Sequence, residues 1–87
     1  MYLIIVYDVG VERLDAVRQY LKTQLTWIQN SVFEGPATPS QLAAIKKTLS
    51  ELIDKTNDSI IFYILRNKKV MKKKTLGVTK GTISNIL

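Results

Sequence analysis

The sequence predicts a small α+β fold, in which two amphipathic helices cover one face of an antiparallel β-sheet. Two runs, Tyr2–Asp8 and Ser59–Leu65, are rich in branched and aromatic residues and are apolar on both faces, which is typical of central strands. Two stretches between these runs carry apolar residues at spacings of three and four, which is the helical period. The chain has 87 residues, so we expect a single domain.

The first half of the chain is predicted to form a strand, a helix and a second strand. A strand that is buried on both faces, as Tyr2–Asp8 is predicted to be, needs helices on one side and a second layer on the other. A second strand is predicted over 27–35, where small polar residues indicate a bulge, an edge or an interface. Between them we predict a helix over 11–23, with an apolar stripe of Val11, Leu14, Val17, Leu21 and Leu25.

The second half is predicted to add a helix and two or three strands. Thr38 can cap the helix, Pro39 suits its first position, and Gln41 completes a capping box. Ser59–Leu65 follows as a central strand, 75–78 as a short strand, and 82–87 as a further strand that would pair with the exposed edge of a neighbouring copy. The helix is predicted to end near Lys55, and its buried stripe is Leu42, Ile45, Leu49, Leu52 and Ile53.

This order of elements is close to the ferredoxin-like split βαβ sandwich, provided that 27–35 pairs antiparallel beside a central strand and that the last short strand forms the edge. In that fold two helices cover one face of the sheet. The other face is also apolar in this sequence and would need a partner, so we expect a homodimer. We predict one domain over 1–87, with a core over 1–78 and a C-terminal strand over 79–87 that contributes contacts in the dimer.

The sequence contains no histidine and no cysteine. This composition excludes Ser-His and Cys-His nucleophiles, disulfides and most zinc sites. Any catalysis would have to use carboxylates, tyrosines, lysines or a hard cation such as Mg²⁺ held by oxygen atoms. No apolar run approaches the roughly 20 residues of a membrane span, and no signal peptide is evident. We therefore expect a cytoplasmic protein without membrane contacts.

The net charge of +6 is concentrated near the C-terminus. Residues 1–65 carry six basic and seven acidic side chains, whereas residues 66–87 carry seven basic and no acidic ones. Such a patch indicates a polyanionic partner, most simply nucleic acid; the alternative is a solvated lysine loop that only aids solubility. Because no aromatic residues interleave, we expect contacts with backbone phosphates rather than bases. The predicted contacts are Arg66, Lys68, Lys69, Lys72, Lys73 and Lys74, with Arg13 and Arg18 of the first helix.

Asp8 is the candidate for chemistry, because a carboxylate ends an apolar strand that is predicted to be central. The structural alternative is that Asp8 accepts backbone N–H groups in the turn or caps the first helix. In the functional interpretation Asp8 binds a metal ion at the mouth of the sheet. One carboxylate holds Mg²⁺ poorly, but a two-fold dimer would bring a second Asp8 to the same site. Together they could hold a cation that activates water for attack on a phosphodiester.

Three residues near Asp8 have two interpretations each. Tyr7 is predicted to pack in the core, although its hydroxyl at the end of the strand could contact a ligand. Ser31 and Phe33 are equally ambiguous, since a small serine in a strand is usually a packing residue but could help to position a phosphate or a water molecule.

The strand end Tyr7-Asp8, followed by a helix and then by Gln29-Asn30-Ser31-Val32-Phe33-Glu34-Gly35, resembles the CRISPR-associated Cas2 family over about the whole chain. The resemblance implies a ferredoxin-like homodimer of the prokaryotic adaptive immune system. Members are described as metal-dependent endonucleases on RNA or double-stranded DNA. They also bridge Cas1 integrase dimers during spacer acquisition.

The resemblance assigns roles to individual residues of this chain. Asp8 matches the catalytic, metal-binding aspartate of the family, which faces its mate across the two-fold axis. Tyr7, Ser31 and Phe33 match neighbours of that site, while Trp27 stands where some members have an arginine. Two functions remain open: a Mg²⁺-dependent endonuclease, and a non-catalytic DNA-binding scaffold that recruits the integrase.

Overall fold

Six regular elements make up the computed structural model of the protein, which describes residues 1–78 and residue 80. A single 3₁₀ turn, Lys68–Val70, follows the last of them. No helix in this part of the chain is long and apolar enough to cross a membrane. In order along the chain, the elements are β1 (Tyr2–Asp8), α1 (Val11–Lys22), β2 (Thr26–Gln29), β3 (Val32–Pro36), α2 (Pro39–Leu52) and β4 (Ser59–Leu65).

The four strands form one antiparallel sheet in the order β2-β3-β1-β4. The strand β1 lies between two neighbours, and its Ile5 is paired with Phe33 of β3 on one side and with Phe62 of β4 on the other. The predicted central position of β1 is therefore confirmed. In contrast, β4 lies at an edge of the sheet within the described residues, although its apolar pattern predicted a central strand.

The region 27–35 is not the single strand that its sequence predicts, but a hairpin of β2 and β3. The chain reverses at Asn30, whose φ of 40° lies in the left-handed region that asparagine tolerates better than most residues. The pairing of β2 with β3 also shifts between Trp27 and Gln29, which agrees with the predicted irregularity. The additional strand completes a βαββαβ order, the α+β ferredoxin-like arrangement.

The hydrophobic core lies between the two helices and one face of the sheet, which we call the helix face. The sheet contributes Leu3, Ile5, Tyr7 and Phe33 to this core. The predicted capping box of α2 is present, with Thr38 Oγ1 accepting from the Gln41 N–H and Gln41 Oε1 accepting from the Thr38 N–H. The helices contribute Val17, Leu21, Leu42, Ile45 and Leu49, whereas Val11 of the predicted stripe is exposed.

The opposite face of the sheet, which we call the open face, carries no helix in the described part of the chain. The basic segment after β4 crosses one end of it: Lys68 Nζ lies 5.9 Å from the centre of the Tyr2 ring, and Lys73 forms an ion pair with Glu34. The strand predicted over 75–78 is not formed, and Leu76 is fully exposed within the described residues. The strand predicted over 82–87 lies outside the described residues.

Candidate functional site

Asp8 is the last residue of β1 and is exposed. Successive side chains of a strand alternate between faces, so Asp8 shares the open face with Ile4 and Val6, and Tyr7 points to the helix face. Its cross-strand partner is Ser59 at the start of β4. Asp8 therefore stands where the central strand leaves the sheet, beside the face that the helices do not cover.

The structural roles that were the alternative for Asp8 are filled by another residue. The N-cap of α1 is Gly10, and no side chain caps this helix. The Gly10 N–H instead donates to Asp58 Oδ1 at 2.9 Å. Within the described residues the Asp8 carboxylate accepts no hydrogen bond. Asp8 is therefore an exposed acid at the end of the central strand that stabilises neither the turn nor the helix.

Asp58 is the last residue of the loop before β4 and links that loop to the turn after β1; its side chain is 1% exposed. It accepts hydrogen bonds from Arg13 Nε at 2.6 Å, Arg13 Nη2 at 2.9 Å and the backbone N–H of Asp54 at 2.8 Å. The Arg13 guanidinium, followed by these backbone N–H groups, holds the pKa of Asp58 well below its usual range despite the opposing effect of burial. Arg13 also donates to Glu12, so two carboxylates occupy the guanidinium that was predicted to contact phosphate.

No group of three or more acidic or other metal-ligating side chains occurs in residues 1–78 and 80. One chain therefore offers a single exposed carboxylate, Asp8, at the end of β1. Mg²⁺ fits such a donor, since it keeps several of its waters and is commonly bound by one or two carboxylates together with substrate phosphates. The second protein carboxylate would have to come from another copy of the chain.

Tyr7 and Phe33, two of the predicted neighbours of the site, are buried on the helix face. Their rings stack with centroids 6.1 Å apart, and the backbone N–H of Tyr7 donates to the carbonyl of Ser31 at 3.1 Å. Burial raises the pKa of the Tyr7 phenol, while the Arg18 charge and the Ser31 side chain oppose the rise. The Ser31 side chain is thus beside the phenol, yet no hydrogen bond of acceptable geometry joins the two.

The basic segment, residues 66–74, contains some side chains that contact the sheet and others that contact only solvent. Lys73 pairs with Glu34, which is only 4% exposed, and Lys68 lies over the ring of Tyr2. Burial, and then the charge of Glu34, raise the pKa of Tyr2. The exposed side chains available to an anion are Arg66, Lys69, Lys72 and Lys74.

Sequence reasoning missed three residues that shape this region: Asp58, Glu34 and Asn30. Asp58 and Glu34 acquire their partners across 45 and 39 residues of chain, so no local pattern reveals them. Asn30 carried a usable signal, because a polar triplet centred on asparagine inside an apolar run is a turn sequence.

The fold and the exposed acid define a class: a ferredoxin-like α+β protein with a carboxylate at the end of its central strand and a basic segment beside an open sheet face. The family model for CRISPR associated protein Cas2 matches residues 1–73. The chain therefore belongs to the CRISPR-associated Cas2 family, which confirms the resemblance seen in the sequence.

Relatives and solved structures agree with this assignment. The chain is 48% identical over 87 residues to the CRISPR-associated endoribonuclease Cas2 of Methanothermobacter thermautotrophicus, covering all of this chain and 96% of the relative. It is 45% identical to the protein of the same name from Pyrococcus furiosus over the full length of both. A crystal structure of Cas2 superposes with a TM-score of 0.87 at 39% identity, covering all of this chain and 98% of that one. The crystal structure of Streptococcus pyogenes Cas2 at pH 6.5 superposes with a TM-score of 0.79 at 36% identity, covering 88% of this chain and all of that one.

Proposed function

We propose that the protein is a CRISPR-associated endoribonuclease that cleaves phosphodiester bonds as a homodimer, with Asp8 of each copy at a shared Mg²⁺ site. The observation that carries this proposal is the exposed Asp8 carboxylate, which ends the central strand and has no structural role in the described part of the chain. The names of the relatives support the activity. The proposal places the protein in the cytoplasm, with the nucleic acid on which it acts.

The open face supports the dimer. Ile61 and Tyr63 of β4 lie on this face and are 47% and 52% exposed, next to the half-buried Ile4 and Val6 of β1. An exposed apolar sheet face of this kind is typical of a protein interface. Because a two-fold interface joins the same patch of two copies, burying this face brings the two β1 strands, and with them the two Asp8 side chains, to one interface.

In this arrangement the residues of the chain bind the substrate and hold the metal ion. The two Asp8 carboxylates supply the oxygen ligands, and the exposed cations of the basic segment bind the backbone phosphates on either side. Bound Mg²⁺ would polarise a water molecule and neutralise charge on the scissile phosphate. Either RNA or double-stranded DNA fits, since charge binds the backbone of both.

A second function is a non-catalytic scaffold that grips a DNA duplex and bridges Cas1 integrase dimers in spacer acquisition. The observation that favours it is that the described part of each chain supplies only one carboxylate to the proposed site, and one carboxylate holds a catalytic metal ion poorly. The basic segment serves this role equally well, because phosphate contacts need no acid.

The two functions differ in what they require of Asp8. We would measure Mg²⁺-dependent cleavage of RNA and of duplex DNA by the wild type and by Asp8→Asn, with Glu12→Gln as a control for the loss of one exposed acid. Loss of cleavage in Asp8→Asn alone, with duplex binding retained, supports the endonuclease. Equal cleavage by all three proteins, or none by any, contradicts it; strong salt-dependent binding in that case supports the scaffold.

A further inference from the structure

A cleft of about 380 Å³ lies between α1 and the β2–β3 hairpin. It is lined by Leu14 and Arg18 of α1, by Trp27 of β2, and by Asn30 and Ser31 of the turn. None of these side chains is acidic, and all except Leu14 carry hydrogen-bond donors. Trp27 is held by a hydrogen bond from its Nε1 to the carbonyl of Asn30 at 3.1 Å, so the turn and one wall of the cleft are fixed to each other.

Two buried polar atoms have no hydrogen-bond partner in the described part of the chain: Nε of Arg18, which lines the cleft, and the hydroxyl of Tyr7. Tyr7 does not line the cleft itself, but its phenol lies beside Arg18 and Ser31, which do. Tyr7 is only 3% exposed, so bulk solvent does not satisfy its hydroxyl. Buried side-chain polar atoms in folded proteins are rarely left unpaired, and one that is unpaired often marks a site for water or a ligand. Within the described residues Arg18 also forms no ion pair, in contrast to Arg13 on the same helix.

The groups that meet here share one chemistry. A guanidinium, a phenol, a serine hydroxyl and an asparagine amide each donate hydrogen bonds, and no carboxylate competes for them. Such a set suits an oxyanion, and arginine in particular matches the geometry of phosphate oxygens. The Trp27 ring adds an apolar wall, against which a sugar or a base next to the phosphate would pack.

We propose that this cleft binds a backbone phosphate of the nucleic acid, through Arg18, Tyr7 and Ser31. This inference depends on the proposed function in one respect: that function identifies the phosphate as part of a nucleic acid. Side chains 7 and 8 point to opposite faces of β1, so the phosphate in the cleft is not the one at Asp8. The cleft therefore holds the strand at a second point, away from the scissile bond.

Trp27 is the only tryptophan of the chain and lines the cleft, so its fluorescence reports occupancy directly. We would titrate the full-length protein in EDTA, without any metal, first with inorganic phosphate and then with a four-nucleotide RNA. We expect a saturable change with both ligands, and tighter binding of the RNA. Saturation with phosphate but not with RNA overturns the assignment to nucleic acid, and no saturable change with either ligand overturns the site.

Variants show whether the cleft itself is responsible. Arg18→Gln is expected to weaken binding about tenfold or more, because a charge-assisted hydrogen bond is lost. Tyr7→Phe keeps the ring and removes only the unpaired hydroxyl, and is expected to weaken binding severalfold. Lys22→Gln removes an exposed charge one helical turn beyond Arg18 and is the matched control, with no change expected.

A thermal melt of each variant shows whether it is folded. Equal affinities in folded Arg18→Gln, Tyr7→Phe and Lys22→Gln would contradict the proposal and leave the cleft filled by water only. Because the titration uses no metal and no cleavage, it is independent of the test of Asp8. Asp8→Asn is expected to bind phosphate in the cleft as the wild type does, even if it has lost all cleavage.

Discussion

Asp8 and Asp58 lie at the same end of the β1–β4 pairing, but one is exposed and the other is buried. Asp58 is buried and accepts hydrogen bonds from Arg13, from Gly10 and from Asp54. Asp58 fixes the turn that follows β1 to the loop that precedes β4. Asp8, in the described part of the chain, therefore does not have to stabilise this turn. The position of the candidate catalytic acid thus depends on a second acid that takes no part in the chemistry.

The Arg13–Asp58 pair predicts a pH dependence of stability. Because the folded state lowers the pKa of Asp58, its contribution is complete above the unfolded value of about 3.9 and is lost as the pH falls towards the lower folded value. We expect Asp58→Asn to unfold at lower urea concentration than the wild type at neutral pH. The difference in urea midpoint between the two proteins should narrow below about pH 4, where the wild-type carboxylate becomes protonated in the unfolded state. A difference that stays constant down to about pH 2 would show that this pair does not stabilise the fold in the way described.

Single residues were predictable from the sequence when their position in a strand defined their surroundings. Asp8 was identified because a charge that ends an apolar run stands out. Arg13 was assigned to phosphate, because its partner Asp58 lies 45 residues further along and only the folded chain brings them together. Residue-scale predictions fail where tertiary contacts decide which charges remain accessible.

At the scale of elements, the clearest sequence signals were the helices and β1. Both helices begin at the predicted residues, because the spacing of apolar residues and the capping box are local properties. The hairpin at Asn30 was missed because 27–35 has nearly continuous strand character, and one left-handed residue suffices to reverse the chain. The edge position of β4 was missed because apolar residues on both faces are equally consistent with burial in another copy of the chain.

The basic segment is an element without regular structure beyond one 3₁₀ turn, and the Lys73–Glu34 ion pair fastens it to the open face. We expect Lys73→Met, which leaves the Glu34 charge buried and unpaired, to lower the free energy of unfolding by about 1–2 kcal/mol. This is less than for a fully buried pair, because the Lys73 side chain is 39% exposed. Adding Glu34→Gln to Lys73→Met should recover most of the loss in urea unfolding. If the double variant is as unstable as the single one, the buried charge is not the cause.

At the scale of the whole molecule, the sheet has one face closed by helices and one face open. The two runs that became β1 and β4 are apolar on both faces, and this pattern predicted that the second face of the sheet would need a partner. What the sequence does not reveal is how the basic segment shares that face, because its contacts with Tyr2 and Glu34 arise only when the chain has folded.

Two isoleucines of β4 test the dimer directly, since they are almost equally exposed on opposite faces. Ile61 is 47% exposed on the open face, and Ile64 is 50% exposed on the helix face, where it pairs with the buried Leu3. We expect Ile61→Asp to convert the proposed dimer into a monomer, because it would place a charge in the proposed apolar interface. Ile64→Asp should leave the dimer intact. Light scattering after size-exclusion chromatography measures both, and a dimer that survives Ile61→Asp but not Ile64→Asp would place the interface on the other face.

The central claim is that cleavage needs an Asp8 from each of two copies. The most direct test is the cleavage rate of dimers re-formed from urea out of wild type and Asp8→Asn in varying proportions, at constant total protein. If both carboxylates serve one metal ion, an equal mixture retains about a quarter of the wild-type rate, because about a quarter of randomly assembled two-fold dimers carry two wild-type copies. A rate of about one half, falling linearly with the wild-type fraction, would show that each copy works alone and would contradict the shared site.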